Sequence, residues 1–165
     1  MRLSNNISAS IVIYNTQLIE IEQLLEALDA INIHTYIIDN SLKASIESQL
    51  TAYSNIEYIF NNANLGYGKA HNIGIRKSIA ANYKYHIVVN PDIEFKSTTI
   101  EQLFTFMESN SDTGLCMPKI VYPNGEMQYL CKLLPSPFDL ILRRFIPIKK
   151  VQQIIEKRFE LHEAN

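Results

Sequence analysis

The sequence predicts an α/β domain built on a mostly parallel sheet, and three features carry that expectation. Short apolar runs rich in β-branched residues recur at residues 8–14, 34–38, 55–60 and 85–90. Segments with apolar residues at helical spacing lie between them, and strands alternating with helices argue for parallel pairing in layers. Three of the runs end in polar side chains, Tyr14-Asn15, Asp39-Asn40 and Asn90-Pro91-Asp92. Parallel strands would collect these ends along one edge, the edge at which open α/β sheets bind ligands.

Residues 8–14 form the first expected strand, closed by Asn15-Thr16. Thr16 is placed to cap the next helix, where Leu18, Ile21, Leu25 and Leu28 recur on one face while Glu20, Glu22 and Glu26 face away. A second strand over residues 34–38 runs into Asp39-Asn40-Ser41, a short helix is expected over 43–51, and a third strand over 55–60. The stretch NNANLGYGKAHNIGIRKSIAANY, residues 61–83, opens with turn chemistry around Gly66 and Gly68 and continues as a helix with Asn72, Ile75 and Ile79 on one side. Glycine permits positive φ and lets a ligand approach the backbone. The pattern is neither a dinucleotide fingerprint, because His71 stands at the third glycine position, nor a P-loop, because Ala70 follows Gly68-Lys69.

The chain is organised around YHIVVNPDIEF, residues 85–95. Proline lacks an N–H and pushes the residue before it towards extended backbone, so this buried strand ends at Asn90. Asp92 then stands just beyond a strand's carboxyl end. A hard oxygen donor there suits Mg²⁺ or Mn²⁺ on a phosphate, whereas the plain alternative is a polar turn. Asp39 has the same two readings, a hydrogen-bond acceptor for a base or ribose, or a cap or turn residue. Beyond this point Ile100, Leu103, Phe104 and Met107 mark an amphipathic helix over 97–109, residues 114–122 a further strand containing Cys116, and Pro123-Asn124-Gly125 a hairpin turn into a return strand over 126–131.

Composition bounds the class. At 165 residues, 47% hydrophobic and 19% charged, the chain can bury a proper core. Fifteen basic and seventeen acidic side chains leave a formal charge of −2, and nothing global argues for nucleic acid. Cys116 and Cys131 match no metal-ligand spacing and read as reduced thiols of a cytosolic protein. The N-terminal apolar run is too short for a signal-peptide core, and no stretch approaches a membrane span. His71 and His86 read as packed or hydrogen-bonded histidines, since neither has a second ligand at helical spacing. Residues 132–150 change character: Lys132, Arg143, Arg144, Lys149 and Lys150 face a single acid, Asp139, beside an apolar face of Phe138, Ile141, Leu142 and Phe145. Core packing, binding of acidic acceptor groups and peripheral contact with a membrane surface are the three readings of that segment.

Five motifs in register, IVIYN, YIIDNS, NLGYGKAHNIGI, VVNPDIEF and MPKIVYPNGEMQYLCKLLPSPFDLILRR, resemble the nucleotide-sugar-dependent glycosyltransferases of family two, in their rhamnosyltransferase-like branch. The resemblance covers roughly residues 8–145. It implies the glycosyltransferase A-type fold, a Rossmann-like αβα sandwich binding a nucleoside-diphosphate sugar and a divalent cation, Mg²⁺ or Mn²⁺. It places Tyr14, Asn15, Asp39 and Asn40 at the base and ribose, Gly66 and Asn72 beside the donor, and Asn90-Pro91-Asp92 at the DxD-type element, with Asp92 as the metal ligand. It further implies a saccharide or lipid-linked acceptor, and a cytoplasmic protein that could sit peripherally at the inner membrane surface.

The expected organisation is a donor-binding domain over residues 1–131 and a helical segment over 132–165 leading towards the acceptor side. Family members continue into an acidic segment that supplies the catalytic base, and this chain is expected to stop short of it. Asp112, Glu126 and Asp139 are available acids, but none matches the family's base. An inverting glycosyl transfer is therefore one expectation, and donor binding without turnover, or assembly with a second polypeptide carrying the base, are its alternatives.

Overall fold

Four apolar runs become strands, the first two buried almost throughout and the other two half-buried, and the structure, a computed structural model, describes residues 3–44 and 46–128. The elements are β1 (Ile7–Ile13), α1 (Leu18–Ala30), β2 (His34–Asp39), β3 (Ile56–Phe60), α2 (Tyr67–Ala80), β4 (Tyr85–Val89) and α3 (Ser97–Ser109). All three strand pairs are parallel and the sheet order is β3-β2-β1-β4. β1, at the middle of the connectivity, is buried along its whole length.

Alternation along β1 separates two layers. Ile7, Ala9, Ile11 and Ile13 join Ile21, Leu24, Leu25 and Leu28 of α1 and Ile100 of α3 in the larger apolar core. Val12 joins Tyr36, Ile38 and Ala70 in a smaller cluster beneath α2. The result is the expected αβα arrangement, with α1 and α3 over one face and α2 over the other.

The second face also explains why the apolar side expected for α2 is not its buried side. Asn72 and Ile79 are exposed, and Ala70, His71, Gly74 and Ser78 are buried instead. The sheet beneath carries Ser8 and Ser10 opposite His86 and Val88, so small and polar helix residues complement it. A Cβ built on Gly74 would lie 2.8 Å from Ser10 Cβ, which shows how closely helix and strand approach.

Three local expectations are corrected. The α1 N-cap is Gln17, whose backbone N–H donates to Glu20 Oε1 at 2.8 Å in a capping box, while Thr16 Oγ1 accepts from the Tyr14 backbone N–H at 3.3 Å. The helix expected over 43–51 is a 3₁₀ segment, Glu47–Ala52, with only Leu50 of its residues buried; so little apolar surface does not support a longer α-helix. The strand expected over 114–122 is replaced by irregular backbone with one antiparallel bridge, Val121 to Met127, around a turn at Gly125 with φ 86°. Cys116 is accordingly half-buried rather than packed in a strand.

The chain divides into two compact units, residues 1–114 and 115–165. The change of composition at residues 131–132, the return strand beyond residue 128 and the basic amphipathic segment lie outside the described residues. No helix among the described residues is long and apolar enough to cross a membrane.

Candidate functional site

Parallel pairing fixes where the polar tips fall. Ile13 is the register partner of Asp39 and Ile11 that of Val89, so Tyr14-Asn15, Asp39-Asn40 and Asn90-Pro91-Asp92 all emerge at the carboxyl edge of the sheet. Tyr14 is half exposed and Asn15 adopts φ 53°, a left-handed turn that asparagine tolerates better than most residues. The Asn15 backbone N–H donates to Ser41 Oγ at 2.7 Å, tying the end of β1 to the end of β2.

Asp39 and Asn40 turn inward rather than towards solvent. Asp39 is fully buried; its Oδ1 accepts the Ser41 backbone N–H at 2.8 Å and its Oδ2 accepts the Tyr58 hydroxyl at 2.5 Å. Both carboxylate oxygens are thus engaged within the protein. Asn40 is also buried: its backbone N–H donates to Ile13 O at 2.9 Å, its Oδ1 accepts from Asn61 Nδ2 at 2.9 Å, and its Nδ2 reaches Gly66 O at 3.5 Å.

The start of α2 joins the two sides of this edge. Gly66, at φ 78° and ψ 160°, is its N-cap and accepts from Asn40, while the next residue, Tyr67, donates its hydroxyl proton to Asn90 Oδ1. Consecutive residues therefore connect the end of β2 to the end of β4. Burial, and secondarily the negative charge of Asp92, push the Tyr67 hydroxyl pKa up. Tyr67 lies inside the motif NLGYGKAHNIGI with no role given to it by the sequence; its place between Gly66 and Gly68, where turn chemistry gives way to a helix, is the signal that could have found it. Asn72 lies exposed on the second turn of α2.

Two cavities of about 250 Å³ each flank Ile19 of α1. One is lined by Asn15, Thr16, Ile46 and Gln49, the other by Glu20, Pro91, Asp92 and Glu94. Asp39 lines neither. No set of three or more His, Cys, Asp or Glu side chains among the described residues is arranged to hold a metal ion. Asp92 is nevertheless an exposed carboxylate beside a cavity, and that donor chemistry fits the mode in which Mg²⁺ is shared between one or two carboxylates, water and phosphate oxygens.

Beneath α2 runs a line of hydrogen bonds that uses both histidines. Ser8 Oγ donates to Ser78 Oγ at 2.7 Å and lies 2.8 Å from His86 Nδ1; Ser10 Oγ lies 2.7 Å from both His86 Nε2 and His71 Nδ1. Each hydroxyl has one proton to give. With the Ser8 proton given to Ser78, His86 Nδ1–H must donate to Ser8, Ser10 must donate to His86 Nε2, and His71 Nδ1–H must donate to Ser10. His71 Nε2 is then an acceptor, and it is buried without a hydrogen-bond partner. Burial lowers the pKa of each ring to about 4, helped at His86 by the charge on His71. Both histidines are hydrogen-bonded, as the sequence led one to expect, His71 buried and His86 half-buried.

Comparison with known proteins places this geometry. The dTDP-rhamnosyl transferase RfbF of Shigella flexneri is 28% identical over 109 residues, 66% of this chain and 37% of that protein. The low-salt glycan biosynthesis hexosyltransferase Agl10 of Haloferax volcanii is 31% identical over 90 residues, 54% of this chain and 29% of that protein. The chain thus spans about a third of the length of these relatives. Two crystal structures of S. aureus TarS share the fold with TM-scores of 0.53 and 0.52 at 17% and 18% identity, each covering 64% of this chain and 33% and 20% of theirs. Residues 8–156 match Glycosyl transferase family 2, and with nearly the whole chain inside that match and its parallel sheet ending in the expected polar edge, the protein belongs to that family.

Proposed function

We propose that this chain binds a nucleoside-diphosphate sugar at the carboxyl edge of its sheet, as the donor side of an inverting, metal-dependent glycosyl transfer to a saccharide or lipid-linked acceptor. The observation that carries the reading is the meeting of two strand ends with the start of α2, where Gly66 and Tyr67 connect Asn40 to Asn90, with the end of β1 tied to the same edge through Asn15 and Ser41. Membership of the family supplies the substrate class.

Each residue has a role in this reading. Tyr14 and Asn15 offer an exposed ring and a polar turn to the base, and Asn40 and the internally braced Asp39 hold that turn in place through Ser41 and Ile13. Gly66 leaves the backbone open at the amino end of α2, which has no side-chain cap and no acidic residue in its first turn; the partial positive charge there favours an anion. Asn72, exposed one turn further, flanks the donor. Asp92 is the metal ligand, with Mg²⁺ or Mn²⁺ as the cation. When bound, that cation offsets charge developing on the departing diphosphate. The acceptor's proton requires a carboxylate base, and no residue of this chain is assigned to that step.

Calorimetric titration of UDP, dTDP and GDP with and without Mn²⁺ tests the reading. Metal-dependent binding of one of them supports it, and no binding by any overturns it. Metal-dependent binding with no transfer from the matching sugar nucleotide to any saccharide or lipid-linked acceptor would select the binding-module alternative.

A further inference from the structure

Asparagine at position 90 leaves open which end of its amide faces the ligand, and the two ends have opposite chemistry. The Oδ1 atom attracts a cation, whereas the Nδ2 group offers two protons to an anion. In this structure the first of them is turned to Tyr67. Its hydroxyl donates to Asn90 Oδ1, and its ring meets the His71 ring edge to face at 4.3 Å between centroids. His71 is itself held by Ser10 at 2.7 Å. The Tyr67 ring is therefore braced from the sheet side, and its hydroxyl engages the amide oxygen.

Asn90 is exposed, and its Nδ2 has no hydrogen-bond partner among the described residues. We propose that Tyr67 is a positioning residue that turns Asn90 so that its Nδ2 protons face an anionic oxygen of the donor's diphosphate, two residues before the carboxylate of Asp92. Residues 90 and 92 thereby divide the work: the first binds anion, the second binds cation. This rests on the donor-site reading above and deepens it, because a carboxylate at position 90 would instead offer two acceptor oxygens and attract the metal.

The division predicts different metal dependence for neighbouring residues. Y67F and N90A should each weaken diphosphate binding roughly three- to tenfold, the range expected for loss of one hydrogen bond, and by the same factor at limiting and at saturating Mn²⁺. D92A should weaken binding only when Mn²⁺ is present. Because Tyr67 acts through Asn90, Y67F in the N90A background should add little further loss, whereas independent roles would add. The probes are UDP, dTDP and GDP on the full 165-residue chain.

A spectroscopic measurement separates positioning from general packing. The side-chain amide signals of Asn90 in a ¹⁵N-correlated spectrum should move in Y67F while those of Asn32 and Asn55, remote from this edge, stay in place. Additive losses in the Y67F/N90A pair, losses that vanish at limiting Mn²⁺, or unmoved Asn90 amide signals would each overturn the role of Tyr67 and leave the donor site standing. Failure of the wild-type chain to bind any of the three nucleotides would overturn the donor site, and the ligand assigned to Asn90 with it.

Discussion

Gly74 sits on Ser10 with no room for a methyl group between them. An added Cβ would meet Ser10 Cβ at 2.8 Å and Ile38 Cδ1 at 3.4 Å. Ser10 Cβ is one bond from the backbone of a fully buried strand, so it cannot swing aside. Gly74→Ala gains helix propensity, worth up to about 1 kcal/mol. It also forces α2 away from β1, and overpacking of this kind costs about 1–3 kcal/mol. The expected net result is lower stability in urea denaturation together with weaker nucleotide binding, since the start of α2 moves with its middle. A variant as stable as the wild type would show that the helix can lift without loss.

The two glycines at the start of α2 should respond differently. Gly66 has φ 78° and ψ 160°, a backbone region essentially restricted to glycine, and forcing a side chain there costs of order 1–3 kcal/mol. Gly68 has an ordinary backbone and nothing within 4 Å of an added Cβ. Gly66→Ala should lower stability and Gly68→Ala should hold or raise it by up to about 1 kcal/mol, both read from urea midpoints. Equal effects would contradict the assigned conformations.

Asp92→Ala should leave the fold intact, because the residue is exposed and outside both apolar clusters. Its thermal midpoint should stay within a degree or two, as roughly expected for a neutral surface change. Mn²⁺-dependent nucleotide binding should be lost. Equal affinity of variant and wild type with metal present removes Asp92 from the metal site.

Tyr58→Phe deletes the hydroxyl that satisfies Asp39 Oδ2 and strands a buried carboxylate oxygen. Leaving such a group without its partner costs about 1–3 kcal/mol. Denaturation of the variant at neutral pH checks the figure. An unchanged midpoint would mean that Asp39 finds another donor and is less fixed than its two hydrogen bonds imply.

Acid should weaken the protein before its carboxylates titrate. His71 and His86 have folded pKa values of about 4 against 6.5 ordinarily, so the unfolded chain binds protons that the folded chain refuses. Stability is therefore full above about 6.5 and falls as pH drops from there to about 4, by on the order of 1–3 kcal/mol for the two coupled rings together, His86 being partly open to solvent. Urea midpoints at intermediate pH values follow the loss. Proton shifts of the His71 and His86 rings that titrate near 6.5 in the folded protein would rule it out.

The larger layer was legible because its signals are apolar and periodic. Residues 97–109 were expected as a helix and α3 occupies Ser97–Ser109, and the strand expected over 85–90 ends at Val89, one residue before Asn90-Pro91. The face beneath α2 was not legible from the helix alone. Ile75 and Ile79 dominate that sequence, and only the register pairing Ser8 with His86 reveals that the matching surface is polar. Asp39 was identifiable as a strand-end carboxylate, but its inward orientation depends on Tyr58, nineteen residues away on another strand. The Tyr67–Asn90 contact spans 23 residues and left no local trace.

The line from Ser78 through Ser8, His86 and Ser10 to His71 has a mechanical consequence for the carboxyl edge of the sheet. Greasy surfaces can slide past one another at little penalty, but directional bonds between single hydroxyls and ring nitrogens hold only at one setting. Moving α2 along the sheet by a turn would break both of its links to β1, Ser78 to Ser8 and His71 to Ser10, at once. The rear of that helix thus works as an index pin for its front, and the aim of Tyr67 is set from the buried side of α2.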